Sequence, residues 1–173
     1  QIKRIVVCAL VILVAFLYAH IAKANAVYDR QSDNSTYGIA ENTGLMIEQE
    51  FICKEVSMDA IQVKCQVQQA GEGHVTLTLT DMESGKTVAS STKALSEIEN
   101  GKWNTFSFET VENCKGKTYQ MILEGETLTC FAQQGIQPET ELSVNGAEQD
   151  GTLLMKTVTK RFDIETFGVL LIL

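Results

Sequence analysis

Four of the five cysteines, Cys53, Cys65, Cys114 and Cys130, fall in a stretch whose only histidine is His74. Thiols of this number support either metal binding or disulfide chemistry. Zinc is disfavoured, because no Cys-x-x-Cys pair is present and His74 stands alone in sequence. Disulfides fit an oxidising compartment, where four cysteines admit three pairings. Cys53 and Cys65 flank one expected hairpin and Cys114 and Cys130 another, so pairing within each hairpin is the simplest expectation.

Other reactive side chains give weaker patterns. Glu48/Glu50 and Glu124/Glu126 are carboxylates two residues apart, which share a face on a strand. Such pairs can serve as acid and base on a glycosidic bond, but a solvated acidic face is the simpler reading. Trp103, the sole tryptophan, and Tyr119 are candidate sugar-stacking platforms, with core filling as the competing role. Asp81 suits either a calcium ligand or a turn residue, and the turn is simpler. The Gly-Lys-Thr of "ESGKTV" and "CKGKTY" is not a phosphate loop, since the required earlier glycine is replaced by Thr80 and by Val111. Neither a Gly-x-Ser-x-Gly elbow nor His-Glu-x-x-His occurs. No catalytic, metal or cofactor set is therefore assigned.

The formal net charge of -8 and the lack of a basic run argue against nucleic acid and against anionic polymers or lipid headgroups as partners. The apolar residues concentrate at the two ends. Between Arg4 and Lys23 lie 18 residues without a formal charge, the length that crosses a hydrocarbon layer of about 30 Å. A buried core helix is disfavoured, because the segment is apolar on every face; a cleaved signal peptide competes more strongly, with Lys3-Arg4 as its basic region and "AKA" or "ANA" as its cleavage site. Its apolar part exceeds the usual ~7–15 residues, which favours a retained span, residues 1–24, with Lys3 and Arg4 cytoplasmic. His20 then sits at the outer interface, and Cys8 is a small apolar residue of the span. At the other end "FGVLLIL" follows Lys160-Arg161 and reads as the start of a second span over residues 163–173, cut from a longer protein.

Residues 25–162 are then an extracytoplasmic domain, and their pattern is that of strands. "MIEQEFICKEV" alternates, "SMDA" reads as a turn, and "IQVKCQVQQ" alternates again. In "HVTLTLTDM", Val75, Leu77 and Leu79 face one way and Thr76, Thr78 and Thr80 the other. "ESGK" reads as a hairpin turn, followed by strands at "TVASSTKAL", "KWNTFSFETV", "TYQMILEGE", "TLTCFAQ", "ELSV" and "GTLLMKTVTKRF". Asn145-Gly146 suits a type I′ hairpin. About eight strands and no convincing helix predict an all-β, antiparallel sandwich.

The stretches "IEQEFICKEVSMDAIQVKCQV", "GHVTLTLTDMESGKTVASSTKAL" and "WNTFSFETVENCKGKTYQMILEGE", with "YDRQSDNSTYG" before them, resemble the jelly-roll ectodomains of bacterial multi-span membrane proteins of surface-polysaccharide and glycosyltransferase type. The resemblance rests on an early Gln-x-Phe strand, the hairpin holding Asp81 and Gly85-Lys86, and a later Gly-Lys-x-Tyr strand, in that order. The chain departs from that pattern at its four domain cysteines and at "QVQQAGEG". The resemblance implies a jelly-roll, galactose-binding-like fold and carries over no catalytic residue.

The sequence thus predicts a non-catalytic domain that binds or positions surface glycans on the outer side of a cell membrane, any chemistry residing elsewhere in a larger polytopic protein. Its expected partners are membrane lipid, surface polysaccharide, and the rest of that protein or copies of itself. A sensor ectodomain between two spans and a structural subunit assembling through its N-terminal helix are the alternatives.

Overall fold

The computed structural model describes every residue except Ile21, Asn42, Thr43, Asp163 and Leu173. Both limits of the expected second span, residues 163–173, lie outside the described residues. The chain divides into two compact units. One is helical and comprises Gln1–Lys23 and the residues from Thr159 onward; the other, Ala24–Val158, is a β-sandwich.

In the helical unit, α1 (Ile2–Ala19) is an 18-residue helix buried only at Ala15 and Ala19. Its large side chains are exposed on all faces, from Ile5 and Val6 through Leu10 and Leu13 to Leu17. A soluble amphipathic helix would keep one polar stripe. The length and composition are those of a membrane span, and a signal sequence shares them. Phe16 meets His20, Phe162 and Phe167 at ring-centroid separations of 4.3, 5.5 and 6.4 Å. This aromatic cluster joins α1 to α2 (Ile164–Ile172).

The sandwich is built from β1 (Lys23–Ala26), β2 (Thr36–Ala40), β3 (Leu45–Ile52), β4 (Ser57–Val67), β5 (His74–Asp81), β6 (Lys86–Ala94), β7 (Lys102–Glu112), β8 (Thr118–Gly125), β9 (Leu128–Gln133), β10 (Glu141–Val144), β11 (Ala147–Gln149), β12 (Thr152–Leu153) and β13 (Met155–Thr159). One antiparallel sheet has the order β11-β10-β3-β8-β5-β6. The other centres on β4, which pairs with β7 along one edge. Its other edge pairs first with β13, at Ala60 to Val63, and then with β9, at Cys65 to Val67. Leu154 sits at this fork, its N–H donating to Phe131 O at 2.8 Å and its carbonyl accepting from Lys64 N at 3.0 Å.

Alternation decides which face each strand buries. In β5, Val75, Leu77 and Leu79 are buried while Thr76, Thr78 and Thr80 face outward, as the sequence predicts. Phe51, Ile47, Leu123, Met121 and Tyr119 meet Phe106, Ile61, Met58 and Leu128 in one continuous core. Each such side chain contributes roughly 1.5–3 kcal/mol by leaving water. The Asn145-Gly146 turn joins β10 to β11, with φ of 48° and 81° at its two central residues, the positive pair that a type I′ turn needs.

The structure corrects the expected turn at "SMDA". Ser57 and Met58 are buried strand residues paired with Glu112 and Val111, and the chain leaves β3 for the other sheet at Cys53–Val56 instead. A bulge restores the pattern: two steps along β4, from Met58 to Ala60, answer four along β7, from Val111 to Ser107. Thr110 Oγ1 donates to Asp59 Oδ1 at 2.6 Å within it.

Gln49 breaks the apolar alternation of β3 and is completely buried. Its Nε2 donates to Glu50 O at 2.9 Å and to Glu141 O at 3.0 Å, and its Oε1 accepts from Leu153 N of the opposite sheet at 2.8 Å. This side chain is a hydrogen-bonded tie through the core. Replacing it with a similar-sized apolar residue, Gln49→Met, leaves the Leu153 N–H buried without its acceptor and is expected to cost about 1–3 kcal/mol. A lowered urea midpoint with an unchanged m-value checks this; an unchanged midpoint contradicts it.

Candidate functional site

The segment after β1 is fixed to the sandwich by buried polar groups. Gln133, at the end of β9, accepts from Asp29 N at 3.2 Å through Oε1 and donates to Asp29 O at 3.0 Å through Nε2. Asp29 Oδ1 accepts from Gln31 N at 2.9 Å and closes a local turn. Val27 N donates to Met155 O at 3.1 Å. A short, polar and otherwise irregular stretch thereby becomes a rigid wall.

Two adjoining hollows lie along that wall and share Asn25, Ala26, Val27, Lys54 and Gln137. The first, about 250 Å³, is completed by Phe51, Ile52, Pro138, Glu139, Thr140 and Thr157. The second, about 370 Å³, adds Tyr28, Asp29, Arg30 and Gln31. The lining combines amides, hydroxyls and charges of both signs with apolar surface at Val27, Ile52 and Pro138, while Phe51 lies beneath it in the core. Such a surface can hydrogen-bond a polyhydroxylated ligand while packing its C–H face. Asn25 is already oriented, its Nδ2 donating to Glu55 Oε1 at 3.1 Å.

Trp103 stands in β7 opposite Lys64. Tyr28 stacks on it at 5.9 Å with an interplanar angle of 16°, and Lys156 Nζ lies 4.0 Å from its ring centroid. Burial, then the charge of Arg30, lowers the Lys156 pKa. The tryptophan is thus engaged by its own chain and touches the second hollow through Tyr28. Tyr119 is only 1% exposed and packs on Phe51 at 6.2 Å. Burial, then the negative charges that Cys114, Asp81 and Cys53 would carry, pushes its pKa up to about 12. Tyr119 is a core residue, which corrects its reading as a sugar platform: an inward position on β8 buries both ring faces.

Asp81 closes the β5–β6 turn by accepting from Glu83 N at 2.9 Å and Ser84 N at 3.3 Å, and its other oxygen lies 3.9 Å from Lys117 Nζ. Among the described residues no group of three His, Cys, Asp or Glu side chains is placed to hold a metal. His74, Glu124, Glu126 and Asn145 line a broad open groove elsewhere on the sandwich.

The cysteines are brought together differently from the expected pairing. Cys53 and Cys114 Sγ lie 3.2 Å apart, and Cys65 and Cys130 are direct cross-strand partners. Pairing within hairpins fails because neither expected hairpin exists. β3 and β4 belong to different sheets, as do β8 and β9. The cleft residues were not singled out in the sequence either, because isolated Asn, Gln and Thr side chains carry no spacing signal.

Glu48 and Glu50 face outward from β3, where Glu48 Oε2 accepts from Ser143 Oγ at 2.9 Å. Glu50 pairs directly with Glu141 of β10. Burial first, then Glu141 and Glu48, raises the Glu50 pKa. The folded state therefore holds this proton more tightly than the unfolded chain, and stability falls as pH rises through the carboxylate range. Glu50→Gln is expected to stabilise the sandwich by about 0.2–1 kcal/mol at pH 7. The gain should disappear below the ordinary carboxylate pKa, where Glu50 is protonated in both states. Thermal melts of both proteins at neutral and acidic pH check this.

No family model matches the chain, and no curated protein does. Among solved structures, a clostridial cysteine protease, Cwp84, after propeptide cleavage is similar over 80% of this chain and 40% of its own, with 11% identity and a TM-score of 0.49. An infectious bursal disease virus VP2 subviral particle is similar over 86% of this chain and 46% of its own, with 12% identity and a TM-score of 0.25. This chain thus spans less than half the length of either protein, and at these TM-scores neither likeness extends to function.

Proposed function

We propose that the Ala24–Val158 sandwich is a non-catalytic binding or positioning domain on the outer side of a bacterial membrane, and that its ligand is a cell-surface glycan. The observation that carries this reading is the cleft beside β1, whose Asn25, Lys54, Gln137, Glu139 and Thr140 offer donors and acceptors around the apolar surface of Val27 and Pro138. Sugars are bound by such mixtures of planar polar groups and apolar floor. The membrane part of the reading is supported by α1, whose exposed apolar faces suit lipid. Within this reading α2, rich in Val, Leu and Ile, belongs to a second span of a polytopic protein, and the sandwich is a jelly roll.

Isothermal titration of the full chain in detergent micelles against neutral and acidic oligosaccharides tests the proposal. Saturable binding is expected, weakened about tenfold by Gln137→Ala or Lys54→Ala through loss of one or two hydrogen bonds. The oligosaccharide should be recovered uncleaved. Absence of binding, binding indifferent to both substitutions, or cleavage of the sugar would each contradict the proposal.

A further inference from the structure

Among the described residues, four buried thiols fall into two facing pairs that no part of the cleft uses. We propose that the mature protein carries two interleaved disulfides, Cys53–Cys114 and Cys65–Cys130.

The first pair joins the two crossings between sheets, β3 to β4 and β7 to β8. Cys114 N donates to Val56 O at 3.0 Å, Gly116 N to Cys53 O at 2.8 Å, and Cys53 N to Lys117 O at 3.0 Å. This backbone ladder holds the two chains in register. Both thiols also point at one acceptor, Glu55 O, at 3.2 and 3.4 Å. Removing two hydrogens and closing the S–S bond needs only a small side-chain movement.

The second pair lies within one sheet. Directly opposed residues of an antiparallel pair have Cα atoms about 4.5–5.5 Å apart, inside the ~4.4–6.8 Å range that disulfides span. Cys65 and Cys130 are both completely buried, so their side chains point into the same core.

The order of events follows from burial. In the folded protein desolvation pushes the Cys65 thiol up to about 11 and the Cys114 thiol up to about 12. At pH 7 a thiol of pKa 11 is ionised in about one molecule in 10⁴, and the thiolate is the reactive form. The Cys65–Cys130 bridge, both of whose thiols burial pushes up, therefore forms as the chain folds, before that burial is complete. Each bridge forms by exchange with a disulfide donor, an oxidoreductase of the cell exterior or oxidised glutathione. Two protein thiols become one S–S bond, and the donor disulfide takes up the two electrons and two protons as two thiols. Formation in cells rests on the extracytoplasmic reading above; the pairing itself rests on geometry alone.

Connectivity can be read directly, because cleavage after Lys54, Lys64, Lys86, Lys102, Lys115, Lys117 and Lys156 puts the four cysteines on four different tryptic peptides. The full chain is refolded in detergent with a glutathione redox buffer, alkylated under denaturing conditions and mapped without reduction by mass spectrometry. Peptide 31–54 is expected linked to 103–115, and 65–86 to 118–156. Any other linkage, or four alkylated thiols, overturns the proposal. As a second readout, dithiothreitol should lower the melting temperature by on the order of 10 °C per bridge, and Cys53→Ser with Cys114→Ser should remove that bridge's share. A melting temperature indifferent to reductant also overturns it. The same map is made on protein extracted from its own membrane. If the redox buffer yields both bridges but the extracted protein has only free thiols, the mature protein is unbridged and the proposal fails through the extracytoplasmic reading; a different linkage in the redox buffer fails it on geometry.

Discussion

An antiparallel sandwich is stable only if both inner faces are filled, and this chain fills them by passing repeatedly from one sheet to the other. Among the described strands from β2 to β12, two connections, β5–β6 and β10–β11, stay within a sheet as hairpins, and the other eight of ten cross. Residues close in sequence therefore end on different layers, and residues far apart come to face each other. Gln49 shows how strictly the crossings are held. Its amide reaches Leu153 of the other sheet through the core, so the two layers are joined by a directional hydrogen bond as well as by apolar contact.

The same constraint gathers the cleft. Lys54 lies in the crossing from β3 to β4, Gln137 to Thr140 in the crossing from β9 to β10, and Asn25 to Gln31 in the end of β1 and the segment leaving it. Apart from Asn25 and Ala26 at the end of β1, these segments are irregular. Each is fixed by neighbours, as Gln133 fixes Asp29 by gripping both its N–H and its carbonyl. Binding residues carried on loops over a rigid scaffold can vary without disturbing the core beneath.

Alternation made the inner faces of β3, β5 and β8 legible in the sequence, because a half-buried strand must place apolar residues at every second position. Turn chemistry made the Asn145-Gly146 hairpin and the Asp81 turn legible for equally local reasons. Layer assignment was not legible. "SMDA" carries turn-like residues, yet Ser57 and Met58 are held as strand by β7, a partner some fifty residues away. β2 escaped notice because it is five residues long with a single buried position, Ile39, and exists by pairing with β9. Trp103 and Tyr119 looked alike in sequence and differ by strand phase. Tyr119 points inward beside Phe51, while Trp103 stays part-exposed between Tyr28 and Lys156.

The proposed placement of the sandwich on the cell exterior decides both the ligand it could meet and the fate of its thiols. The most direct test places one cysteine at Ser84, in the exposed β5–β6 turn, and treats intact cells making the full protein with a membrane-impermeant maleimide. Labelling of the Ser84→Cys protein in intact cells, above the level seen for the unsubstituted chain, is expected. Labelling that appears only after the membrane is permeabilised would contradict it.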